Sequence, residues 1–225
     1  MTWLKRLVWV GCAFLAMALY VLPMLFQQVA IIYQFPKQWT IGLGLLLIIL
    51  ILLVFVVVAK KTGILSPSGK IFQKGDGKRI ALGLLGMLLI SVLGTVLLRW
   101  LHGEVTTANQ ASLMEEFRKG DVILLSIMLG VLAPIAEEII FRGIIPLKIF
   151  KGYESWGYII GGLLFAIFHG PTNIMSFVIY GGASVILTLL ACRTRRLEVS
   201  IAVHMLNNGL PAILMLLITI FGVEV

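Results

Sequence analysis

Residues 130 to 146 read GVLAPIAEEIIFRGIIP, an apolar segment that carries two adjacent carboxylates and a guanidinium. A charged side chain at the middle of a membrane-spanning helix costs about 2.5–3.5 kcal/mol, so each of these groups calls for a partner or a purpose. On a helix, Glu138 and Arg142 lie about 40° from each other, which suits an ion pair, whereas Glu137 points about 140° away from Arg142. The segment therefore predicts an ion pair between Glu138 and Arg142, beside a carboxylate, Glu137, that faces another group.

The whole chain has the composition of an integral membrane protein. Of its 225 residues, 60% are hydrophobic and only 12% are charged, whereas an ordinary soluble domain has roughly 25% charged residues. A net charge of +8 would suggest nucleic acid as the partner of a soluble protein. Here the positive-inside rule explains the basic loops, and no basic groove with interleaved aromatic residues is present. We therefore expect the lipid bilayer, and no nucleic acid, as a partner.

Apolar runs long enough to cross about 30 Å of hydrocarbon need about 20 residues. The predicted spans are 7–26, 41–59, 80–99, 121–147, 153–169, 174–192 and 197–222. A signal peptide is an alternative for the first run, but the run continues to Phe26, which favours a retained helix. No linker separates two domains. The sequence thus predicts one integral membrane domain over residues 1–225, an all-α, polytopic transmembrane helical bundle of about seven spans with an intramembrane polar cavity.

The distribution of basic residues predicts the orientation of the chain. Thirteen of the 18 lysines and arginines precede the first span or follow the second, fourth and sixth spans, and only four lie on the other side. Because short cytoplasmic loops carry the excess, the amino terminus is predicted in the cytoplasm and the carboxyl terminus outside.

Two shorter patterns concern the packing of the spans. Residues 106 to 121 are predicted to contain a short amphipathic helix, which acts as an interfacial cap or, alternatively, as a substrate lid. Gly157 and Gly161 form a small-xxx-small pair, which predicts close packing against a neighbouring helix of the same chain.

Further polar side chains lie in the later spans. The segment FAIFHG places His169 four residues after Phe165, and HMLNNG places His204 and Asn208 on one face of the last span. At 1.5 Å per residue, Glu137 and both histidines fall at overlapping depths, about 10–24 Å from the cytoplasmic ends of their helices. A single intramembrane histidine often serves only to hold helices together, but the whole set at matched depth favours a functional cavity.

Several hydrolase mechanisms do not fit the sequence. The two aspartates, Asp76 and Asp121, lie outside the apolar cores, so an aspartyl dyad is excluded. No serine lies in a nucleophile-elbow pattern, and the HExxH motif is absent. The remaining candidates are Glu137 as the general base for a water molecule, with His169 sharing that water. The polar residues of the last span are candidates for hydrogen bonds to the oxyanion.

Together, these residues resemble the CPBP intramembrane protease family, also called the CAAX protease and bacteriocin-processing or Abi family. Glu137-Glu138 with Arg142 matches the EExxxR motif of that family, Phe165 to His169 matches FxxxH, and His204 to Asn208 matches HxxxN. The three motifs occur in order and each lies in an apolar span. They define a motif-bearing core of about residues 121 to 210.

The resemblance implies an intramembrane endopeptidase that cleaves a membrane-associated peptide or protein. The residues matching Glu137 and His169 would activate water, and those matching His204 and Asn208 would stabilise the oxyanion. Structural support of the site would come from Glu138, Arg142 and Phe165.

A zinc ion held by Glu137, His169 and His204 is the alternative to a metal-free site. The metal-free glutamate mechanism is preferred, and no cofactor is expected, because no carboxylate-supported His-x3-His pair lies on one helix.

Two other functional classes remain open. One is a non-catalytic scaffold or regulator of partner membrane proteins that retains the family site. The other is a small ion- or proton-coupled transporter, because intramembrane Glu, His and Arg also build ion pathways. Inverted repeats and paired broken helices, which many transporters contain, are not found in the sequence. The short chain without an organellar targeting segment favours a bacterial plasma membrane.

Overall fold

The computed structural model describes residues 1–66 and 71–221. Within these ranges all regular secondary structure is helical, which confirms the predicted fold class. The helices are α1 (Trp3–Ile32), α2 (Lys37–Lys61), α3 (Asp76–His102), α4 (Ala108–Lys119), α5 (Val122–Ile149), α6 (Glu154–Phe168), α7 (Ile174–Thr194) and α8 (Leu197–Ile220). The predicted end of the last span at residue 222, and the carboxyl terminus placed outside, lie beyond the described residues.

Six of these helices are long and apolar enough to cross a membrane: α1, α2, α3, α5, α7 and α8. Helix α6 has only 15 residues, so it rises about 22 Å, less than the roughly 30 Å of a hydrocarbon core. The part of the chain that the structure describes thus has six full-length candidate spans and one short apolar helix, in agreement with about seven predicted spans. The protein is a multi-pass membrane protein.

Helix α5 lies at the centre of the bundle. Of its most apolar 18-residue window, 72% is buried, compared with 11–28% for the other five candidate spans. Segments of π-helix, Met128–Leu132 and Ile139–Ile149, lie on either side of the short α-helical segment Ala133–Glu138. Because π-type turns frequently occur at functional sites, this irregular geometry marks the two glutamates at the end of Ala133–Glu138 as candidates.

Helix α6 packs unusually close to the second half of α5. A Cβ atom at Gly157 would come within 2.5 Å of the Cα atom of Pro146, and one at Gly161 would collide with the carbonyl oxygen of Phe141. The predicted small-residue contact within the chain is therefore confirmed. It holds α6 against the part of α5 that carries Arg142.

Helix α4 confirms the predicted short amphipathic helix between the third and fourth spans. The hydroxyl of its N-cap residue, Thr107, accepts a hydrogen bond from the backbone nitrogen of Gln110 at 3.2 Å, and the backbone nitrogen of Thr107 donates to the side-chain oxygen of Gln110 at 3.4 Å. This is a capping box, which stabilises the start of a helix. None of the residues of α4 is fully buried. Its Glu116 accepts a hydrogen bond from Gln28 of α1 at 2.5 Å, so polar contacts attach α4 to the bundle.

A buried carboxylate joins the amino-terminal ends of α3 and α8, where several basic residues lie. Asp76 is almost fully buried and pairs with Arg79 at 2.9 Å and with Arg196. Both partners are cations, so the buried charge is compensated. Asp76 therefore has a structural role at the helix ends.

Candidate active site

Arg142 and Glu138 form a fully buried ion pair on α5. Nη1 of Arg142 lies 2.9 Å from Oε1 of Glu138, and both side chains are 0% exposed. Nη2 of Arg142 donates to Oγ of Ser184 at 2.8 Å and Nε donates to Oγ1 of Thr188 at 3.4 Å, both on α7. The predicted ion pair is confirmed. A buried pair tolerates desolvation only when its remaining hydrogen-bonding groups find partners, and here α7 supplies them for the guanidinium.

Phe165 of α6 contacts side chains from the other two motifs as well as its own. The guanidinium carbon of Arg142 lies 4.3 Å from the centre of the Phe165 ring. The imidazoles of His169 and His204 lie at centroid distances of 4.5 and 5.7 Å from the same ring. A guanidinium over an aromatic face is attracted by the ring quadrupole. Phe165 therefore connects the three motifs.

Glu137 does not contact Arg142, in line with the predicted direction of its side chain. Its side chain is 6% exposed, and Oε1 accepts a hydrogen bond from the hydroxyl of Tyr20 at 3.3 Å. Oε2 has no hydrogen-bond partner among the described residues and lies 3.8 Å from Nε2 of His204. Oε2 of Glu138 also lacks a hydrogen bond among the described residues. The two carboxylates differ instead in charge compensation, because Glu138 has a guanidinium partner and Glu137 has none. A buried, unbonded carboxylate oxygen is unfavourable for stability and calls for another explanation.

His204 of α8 lies between the two glutamates. Its Nδ1 donates to Oε1 of Glu138 at 3.1 Å, which fixes the orientation of the ring. Nε2 then faces Oε2 of Glu137 and the side-chain nitrogen of Asn208, the latter at 3.4 Å. The carbonyl oxygen of Asn208 accepts a hydrogen bond from Asn207 at 3.0 Å, which turns the amide nitrogen of Asn208 towards His204.

His169 lies at the C-cap of α6, next to Phe165. Its Nδ1 lies 2.8 Å from the carbonyl oxygen of Phe165. Because a carbonyl can only accept, Nδ1 carries the hydrogen, and Nε2 is the unprotonated nitrogen of the neutral ring. No direct hydrogen bond or ion pair joins His169 to Glu137 within residues 1–66 and 71–221. The structure therefore brings Glu137, Glu138, His204 and Asn208 into one cluster and leaves His169 beside it, in contact through Phe165.

The alternative zinc ligands, Glu137, His169 and His204, do not form a metal centre in this geometry. No group of three or more His, Cys, Asp or Glu side chains in the described part of the chain is placed to hold a metal ion. The Nδ1 atoms of both histidines donate to Glu138 and to a backbone carbonyl, which orients the rings and leaves Nε2 as the nitrogen that a ligand would meet. The metal-free site stays a prediction.

A cavity of about 980 Å³ lies near the facing ends of α1, α2, α5 and α8, beside α4. None of the predicted site residues lines it. On α1 it is lined by Gln27, two helical turns beyond Tyr20, and Nε2 of Gln27 has no hydrogen-bond partner among the described residues. This cavity therefore lies beyond the polar cluster that the motif side chains form.

Tyr20 is the residue of this cluster that the sequence motifs do not indicate. It lies in the first apolar span, 117 residues before Glu137. A tyrosine hydroxyl inside an apolar helix needs a hydrogen-bond partner. That requirement is the feature of the sequence that could have indicated Tyr20. Its contact with Glu137 makes α1 part of the site. Ser184 and Thr188, spaced four residues apart on α7, carry a similar signal.

Comparison with known proteins indicates the same family. The profile of the family described as type II CAAX prenyl endopeptidase Rce1-like matches residues 119–210, which contain all three motifs. The chain is 31% identical over 153 residues to the UPF0177 protein YvdC of Lactococcus lactis, an alignment that covers 68% of this chain and 57% of that protein. It is 32% identical over 146 residues to the membrane-embedded CAAX protease MroQ of Staphylococcus aureus, covering 60% and 57% of the two chains. The chain belongs to the CPBP family.

This CPBP family member spans 57% of the length of both curated relatives. No solved structure gives a significant match. The profile match begins at residue 119, so Tyr20 lies outside it. In this CPBP protein the cluster around Glu137 thus combines motif residues of α5 and α8 with a side chain of α1, and the motif residues of α6 lie beside it.

Proposed function

We propose that this protein is an intramembrane endopeptidase of the glutamate-dependent type, which cleaves a membrane-associated peptide or protein. The observation that carries the proposal is the state of Glu137: a buried carboxylate without a guanidinium partner, with an unbonded oxygen 3.8 Å from His204. Its neighbour Glu138 is paired with Arg142. Two carboxylates in such different environments suit different roles, one chemical and one structural.

In the proposed reaction, Glu137 is the general base. Water held between Glu137 and Nε2 of His169 gives a proton to the carboxylate, and its oxygen bonds to the carbonyl carbon of the scissile peptide. The tetrahedral intermediate then collapses, the C–N bond breaks, and Glu137 returns the proton to the leaving amine. Neither step requires another reactant.

His204 and Asn208 are proposed to bind the oxyanion. The amide of Asn208 donates directly, whereas His204 donates from Nε2 only as an imidazolium, because Nδ1 already donates to Glu138. Nε2 of His204 lies 3.8 Å from Oε2 of Glu137 and 3.4 Å from the side-chain nitrogen of Asn208, so both side chains lie beside the proposed base.

The distribution of basic residues supports an orientation for the chain, and the relatives support a bacterial membrane as its setting. We infer that the protein lies in a bacterial plasma membrane with its amino terminus in the cytoplasm and its carboxyl terminus outside. The 13-to-4 distribution of basic residues supports this orientation, and the two bacterial relatives support this setting.

Glu137 and His204 are buried. A substrate therefore reaches them only when the surrounding helices move apart.

The experiment uses purified wild type and Glu137→Gln, each reconstituted in liposomes with membrane proteins extracted from the source cells. Mass spectrometry then identifies newly formed peptide amino termini. The proposal expects a set of termini that appears with the wild type and with Tyr33→Phe, an exposed tyrosine control, but not with Glu137→Gln. Identical termini with Glu137→Gln would contradict it.

A further inference from the structure

The imidazole of His169 contacts an aromatic side chain that belongs to none of the three motifs. The ring of Tyr180 on α7 stacks on it at a centroid distance of 4.5 Å and an interplanar angle of 24°. Phe165 contacts the same imidazole at 4.5 Å and 45°. Two aromatic rings and one backbone hydrogen bond therefore restrict the orientation of His169.

His169 needs this support because helix geometry alone does not hold it. It is the C-cap residue of α6, and Gly170 follows with a φ of +60°, so the helix does not continue past it. Its side chain is only partly buried. A histidine at such a position can adopt several rotamers unless neighbouring side chains exclude them.

Tyr180 is itself held by the start of α4. Its hydroxyl lies 2.6 Å from Oγ1 of Thr107 and accepts a hydrogen bond from the side chain of Asn109 at 3.3 Å. Thr107 is almost fully buried and caps α4. The Tyr180 ring therefore cannot turn away from His169 without breaking contacts at the α4 cap.

We propose that Tyr180 is a positioning residue for His169, and that the cap of α4 holds Tyr180 in place. The inference rests on the proposed role of His169 in activating water. With Tyr180 present, Nδ1 stays on the Phe165 carbonyl and Nε2 remains the nitrogen available to water. Without the stacked ring, the imidazole leaves that carbonyl and samples both tautomers.

Nuclear magnetic resonance of ¹⁵N-histidine in the full chain tests this directly. The chain has three histidines, His102, His169 and His204, and replacing His102 and His204 with Gln one at a time assigns the signals. We expect wild type to show the single Nδ1–H tautomer at His169 in lipid nanodiscs. Tyr180→Leu should show a mixture of both tautomers. Tyr158→Leu, a partly buried tyrosine near the other end of α6, is the matched control and should leave the His169 signals unchanged.

Kinetics provide the second measurement. Loss of a stacking partner and a small displacement of the imidazole should lower kcat of Tyr180→Leu about tenfold. KM should stay within about twofold, because Tyr180 is not placed against the reacting atoms. Tyr180→Phe keeps the ring but loses the hydroxyl bonds to α4, and Thr107→Val loses one of them. Each should lower kcat by about two- to threefold, because the ring is held less firmly but still stacks on His169.

Unchanged His169 signals in Tyr180→Leu would overturn the proposal, as would an equal change in Tyr158→Leu. If Tyr180→Leu does not fold, the signals of Thr107→Val decide: partial tautomer mixing supports the anchoring, and a wild-type spectrum contradicts it. Absence of any peptide cleavage would refute the proposed function, while the magnetic resonance comparison would still decide the placement of His169 by Tyr180.

Discussion

Replacing Arg142 with Met tests whether the ion pair with Glu138 braces the site. The substitution removes a guanidinium that is 2.9 Å from Glu138 and 2.8 Å from the hydroxyl of Ser184. It leaves the Glu138 carboxylate buried without its guanidinium partner, and breaking a buried pair in this way costs about 3–5 kcal/mol. The double variant Glu138→Leu/Arg142→Met removes both charges. We expect it to be less destabilised than Arg142→Met alone, because no uncompensated charge is left by that pair.

The free energy of unfolding can be measured by titrating the detergent-solubilised protein with dodecyl sulfate. The fluorescence of the five tryptophans reports unfolding. Arg193→Met, an exposed arginine on α7, serves as the control and should change the free energy by less than about 0.5 kcal/mol. A loss below about 1 kcal/mol for Arg142→Met would refute the bracing role, since that is the range of an exposed pair.

Three further changes test the assignments around Glu137. Tyr20→Phe removes the hydroxyl bond to Glu137 and should lower kcat by about tenfold, since hydrogen bonds to charged groups contribute about 1.5–3 kcal/mol; Tyr33→Phe, at an exposed tyrosine, should leave cleavage rates unchanged. Asn208→Ala should lower kcat by about 10²–10³-fold if its amide binds the oxyanion, and a loss seen only in KM would contradict that role. Phenanthroline should leave cleavage unaffected, and inhibition by phenanthroline with recovery on adding zinc would overturn the metal-free mechanism.

Spacing along one helix made the Glu138–Arg142 pair predictable, because residues four apart share a helix face. Close packing at Gly157 and Gly161 was predictable for a similar reason. The contact of Tyr20 with Glu137 joins residues 117 positions apart, and Ser184 meets Arg142 across 42 positions. Such contacts depend on how the helices pack, which no local pattern contains. The motifs thus indicated side chains that the structure brings together around Glu137, but not the neighbours that hold them.

The placement of His169 shows a second limit of the sequence. Depth along a helix predicted His169 at the level of Glu137, but depth contains no information about rotation about the bundle axis. In the structure, His169 lies at the end of the short helix α6 and contacts Phe165 and Tyr180. The direct partner of Glu137 among the histidines is His204.

The division of labour between the adjacent glutamates is the central claim, and the single-turnover cleavage rate of Glu137→Gln tests it most directly. Gln keeps the shape of the side chain and its ability to accept a hydrogen bond from Tyr20, but it is not basic. The claim predicts that the rate on an identified substrate falls by about 10²–10⁴-fold, while the dodecyl sulfate titration shows a folded protein of wild-type stability or greater. A Glu137→Gln protein that cleaves at the wild-type rate would contradict the account.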